Sequence, residues 1–480
     1  MHQTKLIQLL NRFDKNEIKE FEAFLGSPFF NTSEKLLTFY KLLIPYHPLY
    51  ESPKIAKEKL YKKLHGATAY NDQTMRELIS SLFKLAKEFI SHHQLKHNPI
   101  QASNQRYDWL FQRGLVKISE QELIQCEDML TGYKERDYNF YYQRWLADFN
   151  VYQHQSEMMR DREYKLIKQM DFGQHLHSLN KYYLVRFLES YLYLFNMSKI
   201  YNTPMDHSIA GHIDSFAEPY IGQGDRVLDI LYYMYRLLAT GEERYFFELK
   251  SLFQEYDGAI VKPIMLNLSV NMENYCLARL RTGNTKFGPE LMQVYHLTVE
   301  RELMLENGEL SYSLYRNIVI MGIDSGEKEW VNQFVEKYKA MLPAQFRDQI
   351  YDFCRAYILF EDKKYEEALM IVLTLTSFSD FYKIDIKNLT ARIQYELGMF
   401  EQLSTLLESY PYHLNRESIS MQRKENTSLF SGFMKELVLL KHQYSDSSWK
   451  KLLNRTGETP TFSNKPWFME KLAEMSARNH

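Results

Sequence analysis

Cysteine is nearly absent from this chain: three in 480 residues, Cys126, Cys276 and Cys354, far apart. That excludes a disulfide framework and a CxxC metal knuckle. Glycine (18) and proline (13) are sparse, too few to punctuate an all-β protein of this length. No apolar stretch is long enough to span a bilayer; even YLVRFLESYLYLFNM is broken by Arg186 and Glu189. The opening MHQTKLIQLLNRFDKNE lacks the apolar core and cleavage site of a secretory leader, so a reducing cytoplasm is the expected location, without membrane insertion. Net charge is only −2, and no global field draws the chain to nucleic acid or anionic lipid. The asymmetry is mild: the first hundred residues hold 15 basic against 10 acidic groups, the remainder 44 against 51.

Catalytic signatures are missing as well. There is no GxGxxG after a strand, no GxxxxGK[ST], no HExxH, no GxSxG and no Glu-x-x-His pair. IGQGDR (221–226) has two glycines and no following lysine, and reads as a turn capping a helix. His93 and His97 are four apart on one helix face and could share a metal. With His92 they close a helix before Pro99, however, and polar or cationic residues suit that negative end. No metal or cofactor is expected. His175 and His177, two apart, point away from each other.

What remains is helical period almost everywhere. In NEIKEFEAFL, Ile18, Phe21 and Leu25 share a stripe with Phe24 beside it. Capping-box spacing appears at Asp14/Glu17, Asn31/Glu34, Thr74/Glu77 and Ser119/Glu122. No strands are expected, and helix should take roughly two thirds of the residues. The 71 aromatics, including Tyr191, Phe195 and Tyr201 at helical spacing, read as helix-packing core rather than a base-stacking platform.

From about residue 225, helices alternate with short breaks at Gly241, Gly283, Gly326, Lys363 and Gly398, spaced by 42, 43, 37 and 35 residues. Shifting the chain by 35 superposes Ala356 on Ala391, Ile358 on Ile393, Phe360 on Tyr395, Tyr365 on Phe400, Ile371 on Leu406 and Val372 on Leu407. The small residue lets the second helix approach, and the aromatic after the break closes the hairpin. Ala368 gives a neighbour room, with Leu403 in its place one unit on. One hairpin cannot cover its own apolar face, so neighbours must stack.

Over residues 345–412 this pattern resembles the tetratricopeptide repeat, and more loosely from 225. It departs from that family in three ways, the first being earlier units longer than the usual ~34 residues. The usual small-slot glycine is alanine in both units, and Asp380 stands where a unit-ending proline is usual. FDKNEIKEFEAFLGSPFFN (13–31), MRELISSLFKLAKEFI (75–90) and NKPWFMEKLAEM (464–475) resemble a family of bacterial helical proteins of unassigned function. The expected architecture is all-α: an α-solenoid of stacked hairpins (225–415) behind an N-terminal helical cap domain (1–98) and a middle helical region (99–224), closed by capping helices (416–480). Pro466, Trp467, Phe468 and Leu472 should seal the last open face.

Resemblance to the repeat implies a recognition face lined by Phe353, Tyr357, Phe360, Asn388, Arg392, Tyr395 and Glu396. The leading expectation is a non-enzymatic cytoplasmic scaffold that binds a protein or peptide there. One alternative is a regulator touching nucleic acid through SPKIAKEKLYKKLHG (52–66), with Lys54, Lys57, Lys62 and Lys63 as phosphate contacts. That stretch reads more simply as a solvated helix face with Ile55, Leu60 and Leu64 inward. The other alternative is an enzyme with an unfamiliar site in a helical cavity.

Overall fold

Asp14 shows how this sequence starts a helix. Its Oδ1 accepts the backbone N–H of Asn16 and Glu17, while its own N–H donates to Glu17 Oε2 at 2.8 Å, a complete capping box. The computed structural model describes residues 1, 3–158, 173–201, 203–255, 258, 260–306, 308–375, 380–414, 421–459, 462 and 464–479. Helices make up 78 % of it, above the two thirds expected.

The other three capping spacings act differently. Asn71 caps the helix that Thr74/Glu77 was expected to open, accepting Thr74 N–H at 3.0 Å. Asn31 organises the loop before Ser33, and Ser119 lies inside a helix, donating to Val116 O. Ser, Thr and Asn bond local backbone wherever they fall, so the spacing alone does not place the cap.

The chain divides into two compact units: residues 1–133 with 142–176, and 134–141 with 177–480. The first contains α1 (Lys5–Leu10), α2 (Lys15–Gly26), α3 (Glu34–Leu43), α4 (Lys57–His65), α5 (Asp72–Lys96), α6 (Pro99–Phe111), α7 (Val116–Gly132) and most of α8 (Tyr138–Met158). Its N-terminal core is aromatic: Phe21 packs 5.8 Å from Phe13, 4.9 Å from Tyr40 and 5.2 Å from Phe89, ring centre to ring centre. The Asn98–Pro99 break lies within this unit, where Asn98 caps α6. Buried amides tie α6 to α8: Asn104 donates to Gln143 at 3.0 Å and accepts from Asn150 at 2.9 Å.

The second unit begins with most of α9 (Gln174–Tyr201), then α10 (Ile213–Ala217), α11 (Arg226–Thr240), α12 (Glu243–Gln254), α13 (Lys262–Arg281) and α14 (Phe287–Glu300). A two-residue antiparallel pair follows, β1 (Leu305–Glu306) with β2 (Glu309–Leu310). No strand was expected, because so short a ladder leaves no alternating pattern to read. Then come α15 (Tyr312–Asp324), α16 (Lys328–Tyr338), α17 (Arg347–Glu361), α18 (Tyr365–Val372), α19 (Asp380–Glu396), α20 (Phe400–Glu408), α21 (Tyr410–Leu414), α22 (Met421–His442), α23 (Asp446–Glu458) and α24 (Lys465–Asn479). Nothing in either unit is long and apolar enough to cross a membrane, among the described residues.

All five expected breaks are reversals at positive φ: Gly241 (67°), Gly283 (85°), Gly326 (83°), Lys363 (62°) and Gly398 (71°). Four share one hydrogen-bond pattern. Asn284, Glu327, Lys364 and Met399 each donate back to the carbonyl five residues earlier, and the break residue donates to the one three earlier. Each reversal folds two helices into a packed pair: α11/α12, α13/α14, α15/α16, α17/α18 and α19/α20. First helices also touch the next first helix, α11 to α13, α15 to α17 and α17 to α19. Gly322 is needed between α15 and α16, since a Cβ there would meet Val331 at 2.4 Å.

The residues matched by the 35-residue shift share their burial. Ala356 and Ala391, Ile358 and Ile393, Ala368 and Leu403, and Val372 and Leu407 are all buried. Trp467, Phe468 and Leu472 of α24 are buried too. Trp467 packs 5.3 Å from Tyr395 and donates its indole N–H to Glu396.

Candidate functional site

The seven residues expected to line a recognition face lie inside the protein. Phe353, Tyr357, Phe360, Asn388, Arg392 and Tyr395 are all under 8 % exposed. The Glu396 side chain is 12 % exposed. Arg392 lies 4.1 Å over the Phe360 ring and bonds Glu361 at 2.7 Å. Tyr357 donates to Asp324, and Tyr410 donates to Asn388. Glu396 accepts from Trp467 and pairs with Lys471 at 2.9 Å. Most of these polar groups are paired, with Arg392 Nε left without a partner, and they offer a binding partner little free surface. The repeat analogy placed them facing solvent; first helices packed against each other, with α24 against α19, cover them instead.

Burial sets the charges in this layer. It pushes the Asp324 carboxyl up to about 6, against the lowering effect of Tyr357. Burial and the neighbouring Lys383 bring Lys387 down to about 8. Burial alone would lower Lys471, yet its bonds to Glu474 and Glu396 hold it above the ordinary range. Asp385 receives Arg316 at 2.8 Å and Arg423 at 2.9 Å, joining α15, α19 and α22. The arrangement is a cross-brace rather than an acid–base pair aimed at a cavity. The three thiols are buried and unpaired, and burial raises Cys126 to about 11 and Cys276 to about 12. None has the low-pKa, accessible setting of a nucleophile.

An open groove lies earlier in the second unit, where α9, α11 and α13 form its walls around about 890 Å³. Leu192, Leu231, Met234, Leu237 and Ile264 supply apolar lining, all buried. Along α13, Asn267, Asn271 and Asn274 recur at i, i+4 and i+7 and so share one face. Asn267 and Asn274 are exposed. Asn271 is 1 % exposed; its Nδ2 donates to Asn267 O at 2.7 Å, and its Oδ1 is buried with no donor. A backbone carbonyl only accepts, which fixes the amide orientation. Lys199 and Arg281 stand exposed at the rim. The lone rim acid, Glu189, is held above the usual carboxylate range by burial.

An asparagine amide pairs a donor with an acceptor, matching the two polar groups of a peptide unit. The groove therefore has the elements of a peptide site: apolar walls, amides on one face and a cationic rim. Residue reasoning passed over it because its walls come from three helices far apart in sequence. The NLSVNMEN run (267–274) carried a readable signal, since three amides at helical spacing lay one polar stripe along a helix that buries Ile264, Met265, Leu268 and Met272.

The basic stretch is divided. Lys57 pairs with Asp72 at 3.3 Å, while Lys54, Lys62 and Lys63 are exposed. Ile55 and Leu60 point inward, as expected. IGQGDR is a helix-capping turn: Asp225 caps α11 and Gly222 N–H donates to Asp229. His175 stacks on Tyr152, whereas His177 bonds Tyr220. The side chain of Tyr201 lies outside the described residues. No family model matches this chain, and neither a curated protein nor a solved structure matches it.

Proposed function

We propose that the second unit is a tetratricopeptide-like array of stacked helical hairpins and that the protein is a non-enzymatic cytoplasmic scaffold. The groove between α9, α11 and α13 holds a short peptide of its partner. The occupant carries one or two large apolar side chains, which enter between Leu231, Met234 and Ile264, flanked by an acidic residue that meets Lys199 or Arg281. Its backbone N–H supplies the donor that Asn271 Oδ1 lacks. The orphan oxygen of Asn271, a residue that lines the groove, is the observation that carries the reading, because an unsatisfied buried acceptor costs about 1–3 kcal/mol until something donates to it. The identical reversals at four breaks and the shared burial of the units around Ala356 and Ala391 support the array.

The test is selection of a displayed random-peptide library on the full chain, with Ala278→Trp as counter-target. Ala278 is exposed and lines the groove, so tryptophan fills the site without disturbing the core. Enriched peptides should share an apolar residue beside Asp or Glu and fail to bind Ala278→Trp. Peptides that bind both proteins equally would contradict the proposal.

A further inference from the structure

The first unit brings together three ligands that sequence spacing left as two. On α5, the rings of His93 and the C-capping His97 lie with centres 4.2 Å apart and planes tilted by 31°. From α2, Glu20 reaches them, its Oε2 lying 3.5 Å from His93 Nε2. One ligand atom from each of Glu20, His93 and His97 lies within 4.8 Å of the others. We propose that these three residues form a binding site for a divalent transition-metal ion of the zinc class.

Three observations fit the chemistry. The Nδ1 of His97 lies 2.9 Å from the His93 carbonyl. A carbonyl only accepts, so Nδ1 carries the proton and Nε2 keeps its lone pair outward, the tautomer that metal-bound histidines adopt. A tetrahedral ion with bonds of about 2.0–2.1 Å separates its ligands by roughly 3.3 Å. The Glu20–His93 spacing of 3.5 Å is close to that, and His97 closes in from within 4.8 Å of both. Two imidazoles and one carboxylate select zinc and its transition-series neighbours over calcium or magnesium, which prefer all-oxygen sets. Water or an exogenous group completes the shell. The opposing feature is Lys96, whose ammonium sits 3.0 Å from the other Glu20 oxygen. It competes for the carboxylate but leaves Oε2 accessible. A bound ion would pin the middle of α2 to the end of α5, two elements otherwise linked at that point by exposed polar contacts.

The experiment titrates the full chain with Zn²⁺ by calorimetry and with Co²⁺ by visible absorption, which reports coordination geometry. The site predicts one ion per chain, a tetrahedral Co²⁺ spectrum and a rise in the melting midpoint with Zn²⁺. His93→Ala, His97→Ala and Glu20→Gln should each weaken binding at least tenfold, and Glu20→Gln does so at a partly exposed position outside the core. Lys96→Gln should tighten it severalfold by freeing the carboxylate. His92→Ala, adjacent but outside the cluster, should bind as the parent does. Undiminished one-to-one binding by the His93→Ala/His97→Ala double variant would overturn the site. So would no binding by the parent chain, or an equal loss in His92→Ala.

Discussion

The Phe360 and Tyr365 rings pack 5.4 Å apart across the reversal at Lys363, and Tyr395 packs 5.9 Å from Phe400 across the reversal at Gly398. The two contacts are 35 residues apart in sequence and close two hairpins in the same way. Each uses one aromatic from the last turn of the first helix and one from the start of the second.

The reversals differ in one respect that can be measured. Lys363 holds φ 62°, where an L side chain is strained, and Gly398 holds 71°, where glycine is not. Gly398→Ala should therefore lower stability by about 1 kcal/mol. Lys363→Gly should leave it unchanged or raise it by up to ~1 kcal/mol, since relief of strain offsets the added freedom of the unfolded chain. Urea unfolding midpoints of the two variants check the opposite signs.

Ala391 is fully buried, so Ala391→Trp should overpack the hairpin and cost roughly 1–3 kcal/mol or more. Tyr365 is only partly buried. Tyr365→Ala should accordingly cost about 1–2 kcal/mol, below the ~3–5 of a fully buried aromatic. Thermal unfolding of both variants checks the ranking.

Asp324 gives the second unit a pH signature. Its folded pKa, raised to about 6 by burial, means that the folded state holds a proton the unfolded state has released. Its contribution is fully present below about 4 and is lost as pH rises to about 6, by up to ~3 kcal/mol. Asp324→Asn keeps an acceptor for Tyr357 and should be more stable than the parent at pH 7, by about 1–3 kcal/mol. The difference between the two proteins should vanish near pH 4 in denaturant titrations.

In the first unit the sign is reversed. His154 is 6 % exposed, beside Tyr107 and Phe111, and neither ring nitrogen has a partner. Burial lowers its pKa, so below about 6.5 the unfolded chain takes up a proton that the folded one resists. Stability should fall as pH drops through that value, and His154→Phe should lose less. Unfolding midpoints at pH 7.5 and 5.5 compare the two.

Sequence revealed what depends on neighbours along the chain. The reversals at Gly241, Gly283, Gly326, Lys363 and Gly398 were legible because a helix ends through contacts within five residues. The matched aromatics and small residues were legible for the same reason. Contacts such as Arg316 with Asp385, 69 residues apart, were not, because no local pattern says which helices meet. The layer of Phe353, Tyr357, Asn388 and Arg392 was therefore assigned to solvent when neighbouring helices bury it. Glu20 was missed beside His93 and His97 because α2 and α5 pack side by side only in the fold.

The most direct measurement is the affinity of a selected peptide for the parent chain and for Asn271→Leu, taken with the stability of each free protein. Leucine has nearly the same shape but removes the buried, undonated oxygen of this groove-lining residue. The free variant should be at least as stable as the parent, while the peptide should bind about ten- to a hundredfold more weakly, the scale of one lost buried hydrogen bond. Equal affinity for both proteins would contradict a groove that reads its peptide through Asn271.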